Sequence, residues 1–219
     1  MIVAVAATQL EIDPFLTAAG REGELWPVAV TGVGPVETAV SLGSLLAEKR
    51  EQLTGVLQFG IGGAYIRDSA VAQVGLLEVC LATSEVLGDL GICYPDYMEY
   101  FPPELGGAEP FCLISPLLER AKAVLGNAGI TCHCGNFVTV NGVSATAARG
   151  RMLHERWQGI CENMEGAAAA RLCRLYNIPL VEVRIISNMV EDRDRKNWQL
   201  HQACVKAGEI GALLMRELS

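Results

Sequence analysis

Residues 159–188, which read GICENMEGAAAARLCRLYNIPLVEVRIISN, decide the fold class. Residues 159–163 and 180–186 are short apolar runs with the length of buried strands. Between them, residues 165–176 are rich in alanine, whose small side chains favour a helix that packs closely on a sheet. The stretch therefore predicts a strand–helix–strand unit, in which the helix covers one face of the two strands.

The same alternation continues outward in both directions along the chain. Further strands are predicted at 2–7, 27–30, 55–59, 76–82 and 132–140. Further helices are predicted from Asp13-Pro14, from Pro35, from Ser115-Pro116, over 145–155 and over 198–218. Strands and helices that alternate so regularly predict a three-layer α/β/α fold with a mixed, mostly parallel central sheet. The composition does not shift along the chain, so we expect a single domain over residues 1–219.

The charge balance argues against a polyanionic partner. The chain has 17 basic and 25 acidic residues and a formal charge of −8, so nucleic acid would meet net repulsion. The apolar start at 1–7 lacks a basic leader, and no apolar run reaches the roughly eighteen residues that a membrane helix needs. We therefore expect a cytoplasmic protein that binds neither nucleic acid nor membrane.

The eight cysteines are expected to be reduced thiols, because a chain of this size needs no disulfides in order to fold. Cys132-His133-Cys134 is the cluster that suggests a metal site. Residues two apart on a strand share a face while the residue between them points away, and the sequence offers no second ligand pair. We expect neither a metal nor an organic cofactor.

Residues 88–110 interrupt the alternation with four prolines, three tyrosines and no clear period. A long irregular segment inside a compact domain is usually functional when it is ordered. The segment is therefore either a lid over a site or part of a contact with a second subunit, and the sequence leaves both explanations open.

Candidate functional residues follow the predicted strands, because ligands of open α/β sheets bind beyond the carboxyl ends of the strands. These polar and glycine-rich positions are Thr8, Glu11, 31–34, a glycine turn predicted at 60–63, 139–141, 163–165 and 187–188. The glycines match neither a dinucleotide-binding loop nor a P-loop, and the sequence has no Gly-x-Ser-x-Gly elbow. The predicted edge thus combines two carboxylates, Glu11 and Glu165, with the amide of Asn188.

Two blocks of sequence carry a resemblance to a known family. Asn163-Met164-Glu165, followed in the next strand by Arg184-Ile185-Ile186-Ser187-Asn188, resembles the Met-Glu and Arg-x-x-Ser-Asp/Asn blocks of the superfamily of purine nucleoside phosphorylase and methylthioadenosine nucleosidase. The second block continues to Trp198 as Asn-x-Val-x-x-Arg-Asp-x-x-x-Trp, which is similar to the pattern of the futalosine hydrolase family. The resemblance spans nearly the whole chain and implies a nucleoside phosphorylase-like fold.

The resemblance implies roles for four residues. Glu11 matches the acid that activates water for attack at C1′ of the ribose, as a general base. Glu165 matches the carboxylate that holds the ribose hydroxyls, and Met164 matches the apolar residue beneath the sugar. Asn188 matches the residue that orients the purine. It replaces the aspartate of adenine-releasing relatives, and an amide can donate a hydrogen bond to the O6 carbonyl of hypoxanthine.

Five further residues complete the site that the resemblance implies. Thr139 and Val140 are expected to contact the purine plane or edge, and Gly62 and Ser187 to bind substrate. Arg193 is either a solvated charge or the partner of the benzoate carboxylate that futalosine carries, and Arg195 is open to the same two explanations. Asn188 cannot transfer a proton, so the leaving purine must take its proton from water or from another acid.

The activity implied is hydrolysis of the N-glycosidic bond of futalosine to hypoxanthine and dehypoxanthine futalosine, a step of menaquinone biosynthesis, by a homodimer. The glycine run at 60–63 has no adjacent arginine to hold phosphate, which favours water as the nucleophile. The alternatives are a nucleosidase for methylthioadenosine, adenosylhomocysteine or aminodeoxyfutalosine, and a purine-nucleoside-binding module without activity. Single features also have plain structural explanations: Glu11 is a common kind of first-turn helix acid, and Asn188 is a common turn residue.

Overall fold

The computed structural model describes residues 1–21, 26–66, 74–94, 96–105 and 109–219. The strands in these ranges are β1 (Ile2–Ala6), β2 (Val28–Val30), β3 (Gly55–Tyr65), β4 (Val79–Leu87), β5 (Gly91–Cys93), β6 (Met98–Tyr100), β7 (Phe111–Cys112), β8 (Cys132–Thr139), β9 (Gly159–Asn163) and β10 (Leu180–Val190). The α-helices are α1 (Gln9–Ala19), α2 (Pro35–Lys49), α3 (Pro116–Asn127), α4 (Ala147–Trp157), α5 (Gly166–Tyr176) and α6 (Leu200–Leu218). The alternation of strand and helix follows the predicted order along most of the chain.

The central sheet has eight strands and closes partly on itself. β10 pairs with β3 as well as with β4, so that β10, β4, β8, β9 and β3 form a ring. β1 and β2 extend from β3 outside this ring. The parallel pairs are β1–β2, β1–β3, β3–β10, β4–β8 and β8–β9, and the antiparallel pairs are β4–β10, β3–β9 and β4–β7. The prediction of a mixed, mostly parallel sheet is confirmed.

Helices cover both faces of the sheet. On one face α6 packs against α1, α3 and the sheet, and Phe15 of α1 stacks on Phe59 of β3 with ring centroids 4.9 Å apart. On the opposite face α2 packs against α5 over a core that includes Leu42, Leu46 and Ala170. Removal of these apolar side chains from water is the main driving force for folding. The predicted three-layer α/β/α arrangement is confirmed.

The first helix begins earlier than predicted. α1 begins at Gln9, with Thr8 as its N-cap residue, whereas the prediction placed its start at Asp13-Pro14. The carboxylate of Glu11 accepts hydrogen bonds from the backbone N–H (3.0 Å) and the hydroxyl (2.9 Å) of Thr8. This capping contact fixes the helix start, and Pro14 lies inside the helix at the loss of one backbone donor. The correction places Glu11 in the first helical turn.

The glycine run at 60–63 is part of a strand, so the predicted turn is wrong. β3 extends from Gly55 to Tyr65, pairs with β10 along this length and meets β9 near its end. A Cβ at Gly60 would lie 2.7 Å from Oε1 of Glu11 and 2.9 Å from Nη1 of Arg184. Glycine is needed here because charged side chains approach the strand, and not because the chain turns.

Residues 88–110 contain a small hairpin that the sequence did not predict. β5 and β6 pair antiparallel, and Tyr94 stacks on Tyr97 with ring centroids 4.4 Å apart. Tyr100 meets the ring of Trp157 edge to face, which joins the hairpin to α4. Pro95 and residues 106–108 of this segment lie outside the described residues.

The described ranges contain neither a helix long and apolar enough to cross a membrane nor a group of three or more His, Cys, Asp or Glu side chains that could hold a metal ion. In the cluster Cys132-His133-Cys134, the imidazole Nε2 of His133 lies 2.8 Å from a carboxylate oxygen of Glu78. Cys132 instead packs against the core beneath α3 and α6. The three side chains therefore do not converge, as the alternation of a strand requires.

Gly208 of α6 tests how closely α1 must approach the sheet. A Cβ at this position would lie 2.7 Å from the backbone of Pro14, so Gly208→Ala is expected to lower the free energy of unfolding by about 1–3 kcal/mol. The matched control is Gly126→Ala in α3, where the added methyl group meets open space and should raise stability by up to about 1 kcal/mol. Urea denaturation measures both changes, and equal effects at the two positions would contradict the close crossing.

Candidate active site

A cavity of about 300 Å³ lies between α1, α6 and the ends of β9 and β10. Seven of the nine site residues expected from sequence line it: Glu11, Gly62, Met164, Glu165, Ser187, Asn188 and Arg193. They converge because β3 and β10 are parallel neighbours whose carboxyl ends lie at one edge of the sheet. The cavity is therefore the place where the predicted chemistry can occur.

Thr139 and Val140 lie outside the cavity lining, which corrects their assignment as purine contacts. Both side chains are fully buried. The hydroxyl of Thr139 lies 2.9 Å from Oε2 of Glu85 and accepts a hydrogen bond from the backbone N–H of Ala167, while Val140 packs in the core near α4. The residue that lines the cavity on this part of the chain is Val143, which follows the end of β8 and is partly exposed.

Glu11 is a buried carboxylate with two anchored oxygens. Its Oε2 accepts both hydrogen bonds from Thr8, and its Oε1 accepts one from the backbone N–H of Ile61 (3.2 Å). Burial raises the pKa of Glu11, and the nearby charge of Arg184 offsets part of this rise. A carboxylate that is fixed in position and more basic than usual is suited to take a proton from water.

Arg184 connects two carboxylates behind the cavity. Its Nη1 donates to Oε2 of Glu165 at 3.1 Å, and its Nε donates to Oε1 of Glu182 at 2.9 Å. The second oxygen of Glu165 accepts a hydrogen bond from the backbone N–H of Gly34 at 3.1 Å. Burial by itself would lower the pKa of Arg184, but the surrounding carboxylates raise it, so the guanidinium remains charged. The network fixes the carboxylate of Glu165 at the cavity wall.

A pair of buried glutamates lies behind this network. Glu85 and Glu182 are both fully buried, and a Cβ at Gly166 would contact both of their carboxyl groups. Burial raises the pKa of both, and the proximity of Glu182 raises that of Glu85 further. Asn163 donates a short hydrogen bond to Glu85. The raised pKa favours the neutral form of Glu85, which reduces the negative charge behind the cavity.

Asn188 presents an amide of defined orientation to the cavity. Its Nδ2 donates to the backbone carbonyl of Met189 at 3.1 Å, and the hydroxyl of Ser187 lies 2.9 Å from its Oδ1. A backbone carbonyl can only accept, so this contact identifies the nitrogen of the amide. Since the amide nitrogen carries two hydrogens, one N–H remains available for a ligand.

The mouth of the cavity combines an arginine with an aromatic ring. The guanidinium carbon of Arg193 lies 4.8 Å from the ring centroid of Trp198, in cation–π contact. Both residues line the cavity, together with the exposed apolar side chain of Leu10. The side chain of Arg195, the other arginine considered from sequence, lies outside the described part of the structure.

Two polar residues of the lining escaped the sequence analysis, namely Ser144 and Glu162. The carboxylate of Glu162 accepts hydrogen bonds from the backbone N–H (2.8 Å) and hydroxyl (2.6 Å) of Ser144. Burial raises the pKa of Glu162, although these hydrogen bonds oppose the rise. The available signal was a glutamate in a strand that is otherwise buried, directly before the block that begins at Asn163.

Comparison with known proteins defines the class. A sequence model of the phosphorylase superfamily matches residues 15–218. Two solved structures from Helicobacter pylori share the fold at 19% sequence identity. A variant of futalosine hydrolase has a TM-score of 0.83 with coverage of 99% of this chain and 98% of that one. 5′-methylthioadenosine/S-adenosylhomocysteine nucleosidase has a TM-score of 0.81 with coverage of 99% and 97%.

Curated relatives at higher identity narrow the class. The futalosine hydrolase of Thermus thermophilus is 31% identical over 196 residues, which cover 89% of this chain and 84% of that protein. The futalosine hydrolase of Streptomyces coelicolor is 30% identical over 187 residues, which cover 81% and 73%. The chain therefore belongs to the phosphorylase superfamily and, within it, to the futalosine hydrolase family.

Arg184→Met tests the network behind the cavity. The substitution leaves Glu165 and Glu182 buried without their cation, and breaking a buried ion pair in this way costs about 3–5 kcal/mol of stability. The pKa of Glu182 is already raised, so protonation relieves the unpaired charge at low pH and the loss should grow as the pH rises. Denaturant unfolding at several pH values measures this, with Arg171→Met on the exposed face of α5 as the control. A loss as small as that of the control would contradict the ion network.

Proposed function

We propose that this protein hydrolyses the N-glycosidic bond of futalosine and releases hypoxanthine and dehypoxanthine futalosine, a step of menaquinone biosynthesis. The observation that carries the proposal is one cavity that contains a basic carboxylate, Glu11, a fixed carboxylate, Glu165, and the amide of Asn188. These groups fit water activation, sugar binding and 6-oxopurine binding. The identity of about 30% with futalosine hydrolases over most of the chain supports the same substrate.

Glu11 is proposed as the general base. Its raised pKa and its fixed position at the cavity wall suit proton transfer from a water molecule that attacks C1′ of the ribose. The positive charge that develops on the sugar is stabilised by nearby carboxylates. Glu165 supplies such a carboxylate, and each of its oxygens retains a lone pair for a ribose hydroxyl. Met164 lies beside it and offers an apolar surface for the sugar.

Asn188 is proposed to hold the leaving purine. The free N–H of its amide complements the O6 carbonyl of hypoxanthine, whereas an aspartate would offer acceptors alone. Ser187 supports the amide, and its hydroxyl also lies 3.2 Å from the backbone carbonyl of Gly62. Among the acids considered as proton sources for the purine, Asp192 accepts from the backbone N–H of Ala147 at 3.0 Å. Water is therefore the proton source that we favour.

Arg193 and Trp198 are proposed to bind the distal end of the substrate. Futalosine carries a benzoate group, which combines an aromatic ring with a carboxylate. An arginine at 4.8 Å from an indole ring offers a partner for each part. Both residues line the mouth of the cavity, beyond the residues proposed to hold the sugar.

We further propose that the chain acts as one domain, in the cytoplasm, as a homodimer without cofactor, nucleic acid or membrane partner. The support for a dimer is apolar surface at and near the cavity mouth. Leu10 and Val36 are 73% and 70% exposed, and Val33 is also exposed. A second copy would remove this surface from water.

The substrate itself is the first matter to test. Purified protein is incubated with futalosine, aminodeoxyfutalosine or methylthioadenosine, with and without phosphate, and the free purine is measured by chromatography. Hypoxanthine is expected from futalosine alone, and without phosphate. Release of adenine would instead assign a neighbouring nucleosidase activity, dependence on phosphate would assign a phosphorylase, and the absence of any free base would favour the binding module.

Glu11→Gln tests the proposed base. The substitution keeps the shape of the side chain but removes its basicity, so turnover is expected to fall by at least about a hundredfold while the fold is retained. Because the pKa of Glu11 is raised, the rate of the unmodified protein should fall with decreasing pH already above the usual glutamate range. The control is Glu48→Gln on the exposed side of α2. A near-normal rate of Glu11→Gln would exclude Glu11 as the base.

A further inference from the structure

Glu162 on β9 is a carboxylate in the cavity that the proposed mechanism does not use. Its side chain is 5% exposed and lines the cavity. It accepts hydrogen bonds from the backbone N–H (2.8 Å) and hydroxyl (2.6 Å) of Ser144 and from the hydroxyl of Tyr65 (3.1 Å). An ionised carboxylate accepts about four hydrogen bonds, so one acceptor position remains for a ligand.

Glu162 and Asn188 lie on either side of one glycine. Gly63 of β3 pairs with Glu162 of β9 on one edge and with Asn188 of β10 on the other. Residues paired across strands point to the same face of a sheet, so both side chains extend from the face that Gly63 shares with the cavity. Neighbouring strands are about 4.8 Å apart, which places the two Cα atoms roughly 10 Å apart.

Gly63 leaves the space between these two groups open. A Cβ there would lie 3.2 Å from Nδ2 of Asn188 and 2.9 Å from the side chain of Val190. The absence of a side chain therefore gives a flat floor, with an amide donor at one edge and a carboxylate acceptor at the other. A planar ring that lies on this floor can contact both groups with adjacent atoms of its edge.

We propose that Glu162 determines the choice of base together with Asn188, by accepting a hydrogen bond from N1–H of a 6-oxopurine while Asn188 donates to O6. The inference rests on the proposed function, because it assumes that the purine lies between these two residues. A 6-oxopurine presents an acceptor and a donor side by side, which the pair complements. A 6-aminopurine presents a donor and the bare lone pair of N1, and that lone pair would face the carboxylate of Glu162.

The surroundings hold Glu162 in its ionised, accepting form. The two donors of Ser144 and the hydroxyl of Tyr65 favour a charged carboxylate. The loop that carries Ser144 is itself anchored by Asp89, whose carboxylate accepts from the backbone N–H (2.9 Å) and side chain (3.0 Å) of Asn141. A purely structural role for Glu162 would end at this loop. The proposed role adds a contact to the base, and an experiment can separate the two.

The test measures binding of the free bases hypoxanthine and adenine by titration calorimetry, to the unmodified protein and to Glu162→Gln. A glutamine can still accept from Ser144 and Tyr65, but it offers a donor where N1–H needs an acceptor. The preference for hypoxanthine over adenine is expected to fall by about tenfold or more, the range for a hydrogen bond to a charged group. Glu155→Gln, on the exposed side of α4, should leave the preference unchanged. An unchanged preference in a folded Glu162→Gln protein would overturn the proposal.

A second measurement needs no variant and remains decisive if Glu162→Gln fails to fold. The unmodified protein is titrated with 9-methylhypoxanthine, which keeps N1–H, and with 1-methylhypoxanthine, which lacks it. Loss of N1–H is expected to weaken binding by about tenfold or more. Equal affinity for the two bases would overturn the role of Glu162.

The outcomes also separate this inference from the proposed function. If futalosine is hydrolysed but the base preference does not depend on Glu162, only the inference fails. If no nucleoside releases its base, the proposed function fails, and the titrations with free bases still decide whether Glu162 recognises N1–H.

Discussion

Arg184 carries a full positive charge into the interior of the sheet, and such a charge is costly to bury unless carboxylates compensate for it. Here the compensation comes from Glu165 at the start of α5 and Glu182 on β10. The first part of β3 must be slender where the guanidinium passes, which accounts for the glycine at position 60. The position of the cavity wall therefore depends on how this one cation is neutralised.

The balance of charge around Arg184 also sets the chemistry of the cavity. More carboxyl groups surround the guanidinium than it can neutralise, and burial raises the pKa of Glu11, Glu85 and Glu182. The deepest of these, Glu85, is stabilised in its neutral form by this environment. Glu11 lies at the cavity itself and gains basicity. One physical cause, the removal of carboxylates from water, thus stabilises the interior in one place and prepares a base in another.

Apolar runs in the sequence were enough to predict the order of strands and helices, because buried strands of a parallel sheet are continuously apolar. The local errors have specific causes. The start at Asp13-Pro14 followed a proline rule, whereas the capping contact between Thr8 and Glu11 determines the helix start. The glycines at 60–63 are required by side chains of distant segments, which no local pattern reveals. Thr139 was placed in the site because the last exposed residue of a strand cannot be predicted from sequence alone.

The groups that would act on the sugar and those that would select the base differ in how firmly they are built in. Glu165 is tied into the buried ion network, whereas Asn188 is partly exposed and Arg193 lies at the mouth. Substitutions at the exposed positions change little of the protein's stability, while changes in the network are costly. Descendants of such a scaffold can therefore diverge in the nucleoside they accept while the bond-breaking apparatus is inherited unchanged. The family's range of substrates becomes an evolutionary consequence of where the charge was buried.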